Sequence, residues 1–381
     1  MSSSPAIPIY VLRGHNGPVH SLLFFHENAF LASGDADGWL IVWSISSKRP
    51  VGVWKAHEQG VTGIKAWKSD RLLTTPADGA VDDQPKPWLL HAMDMSALNF
   101  CAFAIVCGAG HGNDDDWTPA SSGEELLIAS PNAIDSGGVD VFHLPSERRV
   151  LQLHSQKDRK TGMVMSMAMF LRPLSNEQVR LYLMSGYEDG HVMVHYYDDL
   201  STQRSSGSWH KAMDCKAHSQ PVLSLDLSPH RDAFFSSSAD AVIAKFLLTP
   251  AGGGAADGDG AFKTANTKHA GQQGLSVRSD GKIFATAGWD ARARAYSCKT
   301  LKELAVLKWH KGGCSSTAFA TVVDEQQTRQ HEATGPDVLA LAPPTGTSLE
   351  KIKHERSLQA QRTHWLAVGG KDAKISLWDI Y

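Results

Sequence analysis

The sequence predicts an all-β fold of seven repeated units, each made of four short antiparallel strands. The first observation is a recurring phrase. In "LASGDADGWLIVWS" (31–44) an acidic, glycine-broken turn runs into an apolar strand that ends in tryptophan. It returns in "SGYEDGHVMVHY", "SADAVIAKF", "AGWDARARAY" and "GGKDAKISLW", always with an Asp followed six residues later by a ring. The pairs are Asp37/Trp43, Asp189/His195, Asp240/Phe246, Asp290/Tyr296 and Asp372/Trp378. Residues between Asp and ring alternate in character, as a strand with two faces requires. The second observation is an upstream histidine: His15, His57, His218, His269 and His310. The spacing from the first four to Asp37, Asp78, Asp240 and Asp290 is 22, 21, 22 and 21 residues. The third is composition, because 11 tryptophans and 33 glycines suit short strands joined by tight turns.

Between the markers lie the remaining strands, among them "VHSLLFF", "VTGIKAW", "VLSLDLS" and "GLSVRSDG". Seven units of about 40–50 residues follow, with Asp or its equivalent near 37, 78, 135, 189, 240, 290 and 372. Their approximate ranges are 14–45, 46–93, 94–145, 146–198, 199–249, 261–298 and 299–381, with 7–13 joining the last. Units two and three are degenerate. In "DGAVDDQPKPW" Trp88 falls ten residues after Asp78, and "DSGGVDVF" shifts the count by one with no preceding histidine.

Four strands per unit at this period, together with "RGH" at 13–15 and "LWD" at 377–379, resemble the WD-repeat family over essentially the whole chain. The resemblance implies a seven-bladed β-propeller of four-stranded antiparallel blades. It also implies that His, a Ser or Thr, Asp and Trp in each unit form a structural hydrogen-bonded set. Unit one offers His15, Ser33, Asp37 and Trp43, and unit five offers His218, Ser236 and Asp240 with Phe246 in place of Trp. Unit six offers His269, Thr286, Asp290 and Tyr296. Unit seven offers His310, Asp372 and Trp378, with Val368 where the hydroxyl is expected. By the same resemblance the amino-terminal "IPIYVLRG" supplies the outer strand of the last blade, beside "KISLWDIY", which removes an exposed edge.

The 381 residues carry a formal net charge of −3, which gives no global pull toward nucleic acid or anionic membrane. Five scattered cysteines without CxxC, no glycosylation sequon and no signal-peptide pattern suggest a reducing compartment. The longest apolar run, "FCAFAIVC", is too short to span a bilayer. "CAFAIVCGAGHGN" has its third glycine misplaced for a dinucleotide fingerprint, and Asp114 to Asp116 would repel a pyrophosphate. The same aspartates lack the spacing of an EF-hand, and the histidines lack zinc spacing. No nucleophilic elbow or phosphate loop occurs, so neither enzyme activity, cofactor nor metal is expected. Arg292 and Arg294 share a face with Tyr296 and read as an outward strand face rather than a nucleic-acid patch.

Function is then expected in the loops. Insertions fall at about 107–124, 250–260 and 321–362, all expected on the face opposite the His/Asp turns. Trp117, and Leu349 and Ile352 on a short helix within "SLEKIKHERSLQAQR", are the candidate partner-binding residues. About 30–40 residues between 325 and 359 look surplus to the blade, and their excision is expected to cost little stability. A narrower resemblance, carried by "PIYVLRGHNGPVHSLLFF", "LIASPNAIDSGGVDVFHLPS" and "LAVGGKDAKISLWDIY", is to a family of WD-repeat subunits of the ASTRA assembly. It implies a monomeric, non-catalytic scaffold linked to chromatin remodelling and to maturation of phosphatidylinositol-3-kinase-related kinases. The implied partners are RuvB-like ATPases and a kinase co-chaperone, without direct nucleic acid or membrane contact. The implied location is nuclear, with a cytoplasmic pool left open. Two alternatives stand beside it. A ubiquitin-ligase substrate receptor often carries Trp-Asp-x-Arg, whereas Trp378-Asp379 is followed by Ile380 and Tyr381. A G-protein β-like signalling adaptor would want an amino-terminal coiled coil, and only about six residues precede the first strand.

Overall fold

Alternating burial fixes the strands. "VHSLLFF" turns Val19, Ser21, Leu22 and Phe24 inward, and it pairs with "FLASGD", whose last five residues are all buried. A computed structural model describes residues 6–67, 71–76, 91, 101–107, 125–156, 159–174, 179–198, 208–248, 263–322 and 348–380. Within them the chain is a seven-bladed propeller, nearly all β, and each blade is an antiparallel sheet.

The amino-terminal strand is β1 (Tyr10–Arg13). Blade one holds β2 (Val19–Phe25), β3 (Phe30–Asp35), β4 (Trp39–Ser44) and β5 (Arg49–Lys55). Blade two contributes β6 (Val61–Trp67) and β7 (Arg71–Pro76) to the described residues. Blade three is β8 (Ala104–Cys107), β9 (Leu126–Pro131), β10 (Val139–Leu144) and β11 (Arg148–Leu153). Blade four is β12 (Val164–Pro173), β13 (Val179–Tyr187), β14 (His191–Tyr197) and β15 (Trp209–Lys216). Blade five is β16 (Val222–Leu227), β17 (Ala233–Ser238), β18 (Val242–Leu247) and β19 (Lys263–Asn266). Blade six is β20 (Gln272–Val277), β21 (Ile283–Gly288), β22 (Arg292–Ser297) and β23 (Glu303–Lys308). Blade seven is β24 (Cys314–Phe319), β25 (Trp365–Gly370) and β26 (Lys374–Asp379), with β1 as its outer strand. Tyr10 pairs with Leu377 and Arg13 with Lys374, so the two ends of the chain close the ring.

The sequence units and the blades are offset by one strand. Each expected unit ends on the ring-bearing third strand, whereas each sheet continues through a fourth strand up to the next histidine. Thus β5 belongs with blade one rather than with 46–93, and β11 with blade three rather than with 146–198. The offset is what leaves blade seven one strand short until β1 fills it.

The core lies between blades. Seven hydrophobic clusters occupy the seven junctions, from Ala32, Leu40, Val61 and Ile64 between blades one and two to Leu12, Ile375, Val19 and Trp43 between seven and one. A repeated bulge at the start of the inner strand sets up each contact, seen at Val19/Ser21, Val61/Gly63, Val164/Ser166, Val222/Ser224, Gln272/Gly274 and Cys314/Ser316. The bulge turns a hydroxyl sideways. Ser21 Oγ donates to Val61 O at 3.1 Å, Ser166 Oγ to Val222 O at 2.9 Å and Ser316 Oγ to Val19 O at 3.0 Å. Opposite each sits a glycine on the second strand. A Cβ on Gly186 would lie 2.6 Å from both Val222 Cγ1 and Ser166 Oγ.

Helix α1 (Ser348–Arg362) lies in the connection from β24 to β25. Its last turn is part of the seven-to-one junction, since Ala360 is buried there and Trp365 Nε1 donates to Ala360 O at 2.7 Å. Asn28, from the β2–β3 turn, donates to Thr321 O at 2.8 Å and Gln361 O at 3.0 Å, and accepts the Thr321 amide at 2.8 Å. The surplus expected at 325–359 therefore takes in most of a helix whose end, at Ala360 and Gln361, is fastened to the ring.

Candidate functional site

The functional-looking side chains converge on the face that carries the second-to-third-strand turns and the inter-blade loops. In blade one His15 Nδ1 lies 2.7 Å from Asp35 Oδ2 and Nε2 lies 2.7 Å from Ser33 Oγ. Trp43 Nε1 donates to Ser33 Oγ at 2.8 Å. Asp35 Oδ1 accepts the amides of Asp37 at 3.0 Å and Trp39 at 2.9 Å. The acid expected at Asp37 is thus Asp35. Asp35 ends β3 directly opposite Val19 and is fully buried, whereas Asp37 is exposed with its carboxylate against Gly17. The phrase "SGDADG" holds two aspartates, and only the nearer one can reach the inward histidine. Gly38, at φ 83°, turns the chain so that its carbonyl accepts the amides of Ala56 and His57, which ties the turn to the next loop.

Blade five joins His218, Ser236 and Asp240. The imidazole Nδ1 is 3.2 Å from Asp240 Oδ1 and Nε2 is 2.7 Å from Ser236 Oγ. Asp240 also accepts the amides of Ser219 at 2.9 Å and Val242 at 2.8 Å. Burial pushes its carboxyl upward, but His218 and these amides outweigh that and hold it below the usual range. Phe246 takes the tryptophan position and stacks on Phe234 at 4.6 Å.

Blade seven completes its set by a different route. His310 Nδ1 is 2.8 Å from Asp372 Oδ1, and Nε2 is 2.9 Å from Ser376 Oγ, which also accepts from Trp378 Nε1 at 2.8 Å. The hydroxyl missing at Val368 comes from Ser376, its direct cross-strand partner. A strand-only alignment hides this exchange, because the two positions meet only once the register is known.

Blade six does not form the expected set. His269 Nδ1 is 3.8 Å from Asp290 and half-exposed, while Asp290 binds Arg294 through Nη1 at 3.1 Å and Nη2 at 2.5 Å. Arg294 is 1% exposed, with Nε 3.4 Å from Glu303, so it is a buried ion-pair residue and not part of an outward face. A permanently charged fork displaces the imidazole from the carboxylate. Thr286 instead donates to Gln272 Oε1 at 2.8 Å, and Gln272 Nε2 donates to Thr267 Oγ1 at 2.8 Å. Tyr296 is buried in the junction with blade five, stacked on Phe284.

The remaining blades keep fragments. His57 Nε2 is 2.9 Å from Thr74 Oγ1, while Asp78 and Trp88 lie outside the described residues. In blade three Asn132 donates to Asp140 at 2.9 Å and accepts the amides of Ile134 and Asp135. In blade four Asp189 pairs with His191 at 2.7 Å, and His195 is buried with no partner for Nδ1 among the described residues. Burial, with Lys211 adding to it, lowers His195 to a pKa of about 4.

Three of these sets place Ser, His and Asp at hydrogen-bonding distance, the same residue types as a nucleophilic triad. Their chemistry is nevertheless closed. Ser33, Ser236 and Ser376 are each 0% exposed. Ser33 Oγ already accepts the indole N–H, and its single proton is shared between His15 Nε2 and Ile41 O, 3.2 Å away. A nucleophile needs a substrate carbonyl within reach and donors for the developing oxyanion, and packed blade surrounds these hydroxyls. The sets satisfy buried polar groups and tie turns to loops.

Of the candidate partner residues, Trp117 lies outside the described residues. Leu349 is on α1 with its side chain outside them, and Ile352 on the same helix is half-exposed. The strands that flank the three insertions, β8, β18 and β24, end on the face opposite the His/Asp turns.

Comparison with known proteins bears on all of this. The family description "WD domain, G-beta repeat" matches residues 6–44 and 209–244. Similar proteins include ASTRA-associated protein 1 of Aspergillus niger, 43% identical across 99% of this chain and 98% of that protein. The protein of the same name from Verticillium alfalfae is 39% identical across 98% of this chain and 93% of that protein. That of Schizosaccharomyces pombe is 31% identical across 98% of this chain and 99% of that protein.

Proposed function

Since the chain belongs to the ASTRA-associated protein 1 family of WD-repeat proteins, we propose that it is a non-catalytic scaffold subunit of an ASTRA-type assembly. The observation that carries the reading is likeness across 98–99% of the chain to relatives whose name states that association. The geometry supports it. Buried Ser–His–Asp sets act as fasteners, and a closed ring offers two faces and many loop ends for partners.

In this reading the protein resides in the nucleus and serves chromatin remodelling and the maturation of phosphatidylinositol-3-kinase-related kinases. RuvB-like ATPases and a kinase co-chaperone are its partners, and any ATP hydrolysis in the assembly belongs to them. Affinity purification of the tagged full chain, with identification of the proteins that co-purify, tests the reading. ASTRA-type subunits are expected. Recovery of cullin-ligase subunits or G-protein subunits in their place would overturn it, and so would ATPase activity that follows the isolated chain through purification.

A further inference from the structure

On the His/Asp-turn face, where blades six and seven meet, the fold places like charges together. Arg292 stands directly opposite Lys308 across β22 and β23, and Arg13 directly opposite Lys374 across β1 and β26. Like charges in direct cross-strand register destabilise a sheet, so two such pairs at the same end of adjacent blades work against the fold. Lys311 and Lys371 lie between them. The Lys371 amide donates to Gly313 O at 2.7 Å, and the Lys311 amide reaches Asp372 at 3.5 Å. None of these six cations makes an ion pair among the described residues. The two carboxylates on these turns are already engaged, Asp290 by Arg294 and Asp372 by His310. Positive charge here also reaches His20, whose imidazole is lowered first by burial and then by Lys371.

At the centre stands Trp289, 46% exposed in the β21–β22 turn. Its indole N–H donates to Gln273 Oε1 at 2.9 Å, and Lys371 Nζ lies 5.9 Å from the ring centroid. The ring also lies against Gly271, where any Cβ would collide with it. The indole is therefore held at three places, with part of it open to solvent beside the cations. With a net charge of −3 the chain offers no broad field for a phosphate backbone, so a local cluster of cations beside an apolar ring suits a short acidic segment better than a nucleic-acid strand. An acidic polypeptide segment with an apolar side chain fits it: carboxylates for the unpaired cations, and a hydrocarbon group against the indole.

We propose that this cationic, tryptophan-centred surface of blades six and seven is a docking site for an acidic segment of a partner protein that carries an apolar anchor. The surface deepens the scaffold reading by naming where one partner sits and what chemistry it presents. Failure of the acidic peptide to bind would leave the co-purification test untouched.

The test uses the full-length chain and a dye-labelled Asp/Glu-rich peptide with one central leucine, followed by fluorescence anisotropy at low and at physiological salt. Binding that weakens with salt is expected. Lys311→Glu with Lys371→Glu should weaken it about tenfold. Lys299→Glu with Lys302→Glu, at the opposite end of blade six, should leave it unchanged. Replacing the leucine by glycine, or Trp289→Ala in a variant with an unaltered melting curve, should weaken it about threefold or more. Absence of saturable binding overturns the proposal. Equal loss in the distant lysine pair also overturns it, because attraction would then be diffuse. Tighter binding of a single-stranded oligonucleotide of matched charge would make the surface a nucleic-acid site and overturn it likewise.

Discussion

Asp35 and Asp37 stand two residues apart in the same turn and have opposite fates, which makes them the sharpest contrast at the scale of single residues. Asp35→Ala removes the acceptor for His15 and for two turn amides, and an unsatisfied buried group costs about 1–3 kcal/mol. Asp37→Ala touches an exposed side chain and should stay within about 0.5 kcal/mol. Equilibrium denaturation of the two variants decides between them, and equal losses would contradict the geometry. The repeat itself was legible because Asp, ring and His recur at fixed spacing. The choice of acid was not, because it depends on which aspartate faces inward at the end of β3. Blade six hides its chemistry for a similar reason: the displacement of His269 by Arg294 needs the two side chains to share one face of the sheet. His195 gives a pH signature. Its folded pKa of about 4 lies below the ordinary 6.5, so between those values the unfolded chain takes up a proton that the folded chain refuses. Stability is therefore full above that window and falls as pH drops through it, by at most about 3 kcal/mol. His195→Phe should flatten that slope in melts at pH values spanning the window. An unchanged slope would remove His195 from the account.

At the scale of elements, the bulged inner strand and the glycine that faces it form the repeating joint. Gly186→Ala would press a methyl group onto Val222 and Ser166, both on packed strands, and should cost about 1–3 kcal/mol in a denaturant titration. A neutral result would show that the junction gives way easily. Alternation in "VHSLLFF" or "VLSLDLS" announces such strands, but the sideways hydroxyl clasp appears only when the next blade is in place. The long connection before β25 illustrates the reverse. Its helix was foreseeable from composition, yet the attachment of its last turn to Asn28 was not, because Asn28 lies about 300 positions away in sequence. Excision of 325–347 alone should leave the melting curve intact, since loop length changes closure entropy slowly. Extending the excision through Arg362, or making Asn28→Ala, should lower stability by about 1–3 kcal/mol, since buried backbone groups then lose their partners. If both excisions melt alike, α1 is not part of the ring.

At the scale of the molecule, seven junctions hold the ring and β1 shuts it. Removing residues 6–13 would uncover the edge of β26 and the buried face where Leu12 packs, and should convert a cooperative melt into aggregation. The number of blades was readable in the sequence even where two units are degenerate, because each blade must bury its faces against two neighbours. The offset between unit and blade follows from the same closure. The central claim is that the polar sets hold turns to loops and perform no chemistry, in a chain whose work is to hold partners. The most direct measurement treats the folded full-length protein with a serine-reactive fluorophosphonate and locates any adduct by peptide mapping, beside the melting curve of Ser33→Ala. No adduct is expected on Ser33, Ser236 or Ser376, and a lowered melting temperature is expected for Ser33→Ala. An adduct on any of the three in folded protein, or a Ser33→Ala variant as stable as the parent, would contradict the claim.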